Sequence, residues 1–136
     1  MSVEGFREIL EASADAVIIA GEDGRVSFWN HSAARLFGYG EAPDITLLDL
    51  MPEEYHERHK EGFGNFIKTG KGSLMGKTVI VKAKRSDGTV FPIELGIAAH
   101  KMDGKWIIAA IIRDITERRA FEQKLAHQSR LLVRAN

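Results

Sequence analysis

The sequence predicts an α+β domain, an antiparallel sheet with its helices gathered on one face. Asp-Gly pairs at 23–24, 87–88 and 103–104 each separate two strand-like runs, the signature of hairpin turns. Helical periodicity is confined to the middle and the two ends, giving the order β-β-α-α-β-β-β with a helix before and after. The chain is long enough, at 136 residues with 44% hydrophobic and 28% charged side chains, to bury one core without disulfide or structural metal.

Residues 3–13 place Val3, Phe6, Ile9 and Leu10 at helical spacing, so a short amphipathic N-terminal cap helix is expected over 1–13. Ala16–Ala20 is a continuous apolar run of strand length. After Gly21-Glu22-Asp23-Gly24 the segment Arg25–Trp29 alternates, completing a hairpin. Asn30 is placed to cap a short helix over Ser32–Phe37, and Gly38 to stop it. Pro52 suits the first position of a longer helix, with Glu53 and Glu54 favourable in its first turn and Thr69-Gly70 at its end. Its apolar stripe is Tyr55, His59, Phe63, Phe66 and Ile67.

Three strands follow. Leu74–Lys84 sets Val79 and Val81 against Thr78, Ile80 and Lys82. Val90–Ala99 sets Phe91, Ile93, Leu95 and Ile97 against Val90, Pro92 and Glu94. Trp106–Arg113 is the most apolar strand. Asp114-Ile115-Thr116-Glu117 has the form of a capping box, Asp114 as N-cap and Glu117 three helical positions on. The helix it opens carries Phe121, Leu125, Gln128, Leu132 and Ala135 at steps of four and three, a heptad seam with one polar interruption. An isolated helix of this length is marginal in water, so the expectation is a coiled coil with a second copy, a homodimer.

Composition removes several classes of function. There is no cysteine, which excludes thiolate zinc sites, disulfides, thiol nucleophiles and flavin–cysteine photochemistry. Lys+Arg and Asp+Glu are 19 each, so no net field draws the chain to nucleic acid or anionic lipid. The longest apolar runs are far too short to span a bilayer, and no signal segment precedes the first helix. The expected setting is cytoplasmic, with no nucleic-acid partner and no direct membrane contact. No Ser-His-Asp order stands out, and Gly62-Phe63-Gly64 and Gly70-Lys71-Gly72 have neither Walker nor dinucleotide spacing. Nothing reads as an enzyme.

Five segments in order carry a family likeness: Ala14–Ile19 with Asp23-Gly24; Trp29-Asn30 with Ala33-Ala34 and Leu36–Tyr39; Met51-Pro52; Arg85–Pro92; and Arg113-Asp114-Ile115-Thr116-Glu117-Arg118. From about Phe6 to Glu117 the chain resembles the PAS sensor domains of bacterial signalling proteins. The resemblance implies a five-stranded antiparallel sheet cupping a small pocket against the central helices. It implies a sensor or dimerisation module over 14–116 and a signalling linker helix over 117–136. That helix would lead to an output domain such as a histidine kinase or a diguanylate cyclase.

Pocket candidates are the inward strand and helix side chains Val79, Val81, Leu95, Ile97, Ile111 and Phe63, with Met51 and Leu74 at the edge. The same residues could simply fill a core, which would leave a ligand-free interaction module. Arg113, Asp114 and Thr116 mark the exit from the sheet and are the signal-relay candidates. Trp29 and Trp106 are expected to pack, Trp106 outward onto the terminal helix or a partner. The run Met51–His59 further resembles the long helix of the haem-binding oxygen sensors of this family, which implies His59 as the proximal iron ligand. Where those relatives carry basic side chains around the haem propionates and bound gas, this chain has Asn65, Ser73 and Val79. Haem and a non-covalent flavin are the cofactors weighed, alongside none. His56, three residues before His59, offers a second imidazole without a third ligand, while His31, His100 and His127 are expected to be solvated.

Overall fold

A computed structural model describes residues 3–41, 44–72 and 74–135, apart from the side chains at 3, 6 and 133–135. The expected stripe positions Val3, Phe6 and Ala135, and also Ser73, fall outside that description. The elements are α1 (Val3–Ala12), β1 (Ala16–Ala20), β2 (Val26–Trp29), α2 (His31–Phe37), α3 (His56–Thr69), β3 (Thr78–Lys84), β4 (Val90–Met102), β5 (Lys105–Asp114) and α4 (Thr116–Ala135). The strands form one antiparallel sheet in the order β2-β1-β5-β4-β3. The last strand is therefore the centre of the sheet, because β1 and β4 both pair with it.

The Asp-Gly turns behave as their chemistry requires. Gly24, Gly88 and Gly104 all have positive φ, and Asp103 joins Gly104 in the left-handed region, as a two-residue hairpin turn demands. One glycine is needed for space as well as conformation. Gly38 ends α2 at φ 80°, and a Cβ there would come within 2.7 Å of Ser86 Oγ. Two element starts move by several residues. Pro52 has an extended ψ of 152° and precedes a 3-10 turn over Glu53–Tyr55, so the α-helix starts at His56 rather than at Pro52. The third strand starts at Thr78 rather than Leu74, because Gly76 takes φ 73° and leaves only Met75 to form an isolated bridge with Ile97.

The core lies between the inner sheet face and α2. Trp29, Ala33, Ala34, Phe37, Ile45 and Leu50 meet Ala16, Ile18, Ala83, Phe91, Ile93 and Ile112. Trp29 and Phe37 stack with centroids 6.1 Å apart, and Phe37 tilts onto Phe91 at 5.9 Å. Trp29 Nε1–H donates to the Gly40 carbonyl at 2.9 Å, so the buried indole leaves no orphan donor. Its role is packing, as expected.

Asn30 is the one buried polar side chain of the described core, fully enclosed. It caps α2 through Oδ1, which accepts from Ala33 N–H at 3.0 Å, and the same oxygen accepts from Val17 N–H at 3.0 Å. Its Nδ2 donates to the carbonyls of Leu10 (2.7 Å) and Asp15 (3.0 Å). One amide thus joins α1, β1 and α2. α1 itself stays peripheral: Leu10 is half-buried and Ile9 is 56% exposed.

Candidate functional site

α3 meets the sheet at its two ends. At the start, the Tyr55 hydroxyl accepts from Lys82 N–H at 3.3 Å, satisfying a donor on the free edge of β3. At the finish, the buried Phe66 ring lies 4.8 Å from Trp106, and Gly70 sits close enough that a Cβ would be 3.2 Å from that indole. Trp106 therefore faces α3, not outward: it is two residues before the inward Ile108 on β5. Between these ends, His59 and Phe63 share the helix stripe of Tyr55 and Phe66. Their rings stack with centroids 5.4 Å apart.

Opposite that stripe the inner sheet face is apolar. Val79 pairs with Leu95, Leu95 with Ile112, Val81 with Ile93 and Ile97 with Ala110. These registers put Val79, Val81, Leu95 and Ile97 on the face that also carries the buried Ile93 and Ile112. All four are half-buried, as are Phe63 and Met51. The half of the inner face under α2 is closed, whereas the half beside α3 is incompletely covered. Leu74, on the loop before β3, is 39% exposed at the rim.

Ile111 does not belong to this group. It pairs with Val17 and Gly96, points to the opposite face and is 52% exposed. Its neighbour Ile112 takes the inward position, at 5% exposure. The strand Trp106–Ile112 has no polar residue to mark its outer face, so alternation alone could not assign it.

His59 is half-buried, and burial, reinforced by the nearby His56, pushes its pKa below the ordinary histidine value. The ring is thus held towards its neutral form. His56 is tied off separately, its Nε2 3.0 Å from the Met51 carbonyl, so that nitrogen is the donor. A neutral imidazole beside an apolar sheet face suits an axial iron ligand. Asn65 is exposed and Val79 is apolar, so neither offers a cation to a buried propionate.

At the exit from the sheet, Arg113 forms a two-pronged pair with Asp15, at 3.0 and 3.1 Å. Asp114 Oδ1 accepts from both the N–H and the hydroxyl of Thr116, while Oδ2 lies 3.3 Å from Arg85 Nη2. Asp114 therefore caps α4; the bonds found at the cap run to Thr116 rather than Glu117. Arg85 in turn lies 3.8 Å above the Phe91 ring and donates through Nε to the Leu36 carbonyl. Ile115, 2% exposed, plugs the junction, and its N–H donates to the Pro92 carbonyl. One turn on, Arg118 pairs with Glu94 at 3.1 Å. Sequence reasoning found Arg113, Asp114 and Thr116; it missed Asp15, Arg85 and Glu94, whose partners lie up to 98 residues away.

Beyond this junction α4 is exposed along its described length, with Phe121 61%, Leu125 49%, Leu131 49% and Leu132 68% exposed. It does not fold back over the domain. Among the described residues no helix is long and apolar enough to cross a membrane.

The chain matches the PAS fold over residues 4–115. It belongs to the PAS family. It is 32% identical over 135 residues to the sensor protein FixL of Bradyrhizobium diazoefficiens, an alignment covering 93% of this chain and 27% of that one. It is 26% identical over 136 residues to the cell-division control histidine kinase PdhS of Brucella ovis, covering 98% of this chain and 13% of the relative. The chain thus spans under a third of these curated relatives. Among solved structures, a PAS domain from Colwellia psychrerythraea superposes with a TM-score of 0.69 at 18% identity, over 85% of this chain and 98% of that one. These likenesses make the five-stranded sheet with its flanking helices a PAS fold, and they relate this PAS domain to sensors and histidine kinases of signal transduction.

Proposed function

We propose that this PAS domain is the sensory and dimerising module of a signal-transduction protein, with a small apolar ligand taken between α3 and strands β3–β5. The observation that carries the reading is the half-buried apolar strip Val79, Val81, Leu95 and Ile97 facing the His59–Phe63 stripe, in a domain whose other half is closed. Ligand in that cleft would press on β4 and β5. β5 runs through Arg113 and Asp114 into α4, so a change in its position becomes a change in the angle or register of the helix. α4 would pair with its copy through Phe121, Leu125 and Leu132 and lead to an output domain, a histidine kinase by likeness to the kinase relative. Binding would act by favouring one of two arrangements of that pair.

The test is mass. The purified protein is weighed by mass spectrometry under native and then denaturing conditions. A mass lost on denaturation, and absent from Leu95→Trp, supports a ligand in the cleft. Equal masses in both conditions leave the second reading, an interaction module with no resident ligand.

A further inference from the structure

A second site lies on the other side of the molecule, where α1, α2 and the loop after Gly40 meet. His31, the first residue of α2, has Nε2 2.6 Å from Glu11 Oε2 and Nδ1 2.8 Å from Glu41 Oε2. It is not the free, solvated side chain its sequence position suggests. A neutral imidazole carries one N–H and one lone pair. With a carboxylate at each nitrogen, one of the two contacts sets lone pair against lone pair.

A second proton on the ring would satisfy both nitrogens, but it would not satisfy the whole cluster. Glu11 Oε1 is completely enclosed and has no hydrogen-bond partner among the described residues. A buried carboxylate oxygen without a donor is costly, and a cation is the usual answer to it. One ring nitrogen and one oxygen from each carboxylate already lie within 4.8 Å of one another. A cavity of about 380 Å³ between α1 and β2, bordered by Arg7, Glu11, Ser27, Trp29 and Glu41, gives an ion and its waters access to the two carboxylates.

We infer that Glu11, His31 and Glu41 form a site for a divalent transition cation, with water completing the coordination. One imidazole and two carboxylates suit Zn²⁺, which binds both ligand types at about 2.0–2.2 Å. Glu11 would ligate through one or both oxygens, removing the orphan acceptor. Each ligand comes from a different segment: Glu11 from the last turn of α1, His31 from α2, Glu41 from the loop. The ion would therefore staple the peripheral N-terminal helix to the body of the domain, beside the Asn30–Leu10 bond. The site is independent of the α3 cleft and of what that cleft holds.

The probe is Zn²⁺ itself. Protein stripped with a chelator and dialysed is titrated with zinc chloride by calorimetry, with a parallel thermal melt. The expected result is one ion per chain and a higher melting temperature with zinc. Affinity should fall by about tenfold or more in each of Glu11→Gln, His31→Gln and Glu41→Gln. All three positions keep solvent-exposed surface, and circular dichroism verifies that each variant folds. The double variant His56→Gln with His59→Gln should bind as the parent does. Absence of binding up to millimolar zinc overturns the site. So does binding that survives all three single substitutions, or binding that disappears in the His56/His59 variant and so belongs to α3.

Discussion

Asn30 Nδ2 donates to the Leu10 carbonyl at 2.7 Å, so the residue that caps α2 also holds the last turn of α1. Helix α1 has no other fully enclosed side chain reaching it among the described residues, and this bond lies beside the His31–Glu11 contact. The last turn of the N-terminal helix is thus attached through a polar corner of the core, while Arg7 lies over the Phe28 ring one turn earlier.

Removing that corner should be severe. Asn30→Ala takes the side-chain partner from the Val17 and Ala33 N–H groups and the Asp15 carbonyl, and leaves the Leu10 carbonyl with the Ser13 N–H alone. A loss of about 3–5 kcal/mol is expected in urea unfolding. A loss below about 1 kcal/mol would show that water replaces the amide and that the network is not structural.

The two isoleucines at the end of β5 should respond oppositely to truncation. Ile112→Ala opens a cavity in the core and should cost about 2–4 kcal/mol. Ile111→Ala removes a side chain that is 52% exposed and should stay within about 1 kcal/mol. Equal costs would contradict the register with β1 and β4.

Stability should fall on mild acidification because of His59. Its folded-state pKa lies below the ordinary 6.5, chiefly through burial and then through His56. Below about pH 6.5 the unfolded chain takes up the proton first, so the native state loses ground until the pH reaches the lowered value. Above that window the residue contributes no pH dependence. Melting temperatures measured from pH 7.5 to 5 should fall less in His59→Gln than in the parent. Parallel profiles would show that other groups set the slope.

Dimerisation should depend on α4. Its apolar side chains Phe121, Leu125 and Leu132 are exposed in the single chain, and a helix so exposed needs a partner. Sedimentation should give a dimer for the parent and a monomer for the double variant Leu125→Asp with Leu132→Asp. A dimer that survives the double substitution places the contact elsewhere.

The protein as purified should have no Soret absorption, because positions 65 and 79 supply no cation for propionates. A Soret band that disappears in His59→Ala would reverse that expectation and make His59 an iron ligand.

By itself the sequence determined the elements, the three Asp-Gly turns, the inward faces of β3 and β4 and the helical ends, because each rests on spacing within about a dozen residues. Val79, Val81 and Leu95 were legible for that reason: Thr78, Lys82 and Glu94 mark the opposite face. Tertiary structure decided the rest. β5 is apolar on both faces, so only pairing with β1 and β4 could turn Ile111 out and Ile112 in. Asn30 could be read as a cap, but three of its four bonds go to residues 13 to 20 positions away. The partners of Arg113, Arg85 and His31 were likewise beyond any local pattern. Short-range periodicity records which way a side chain leans, whereas the group it meets is set by how distant segments close on one another.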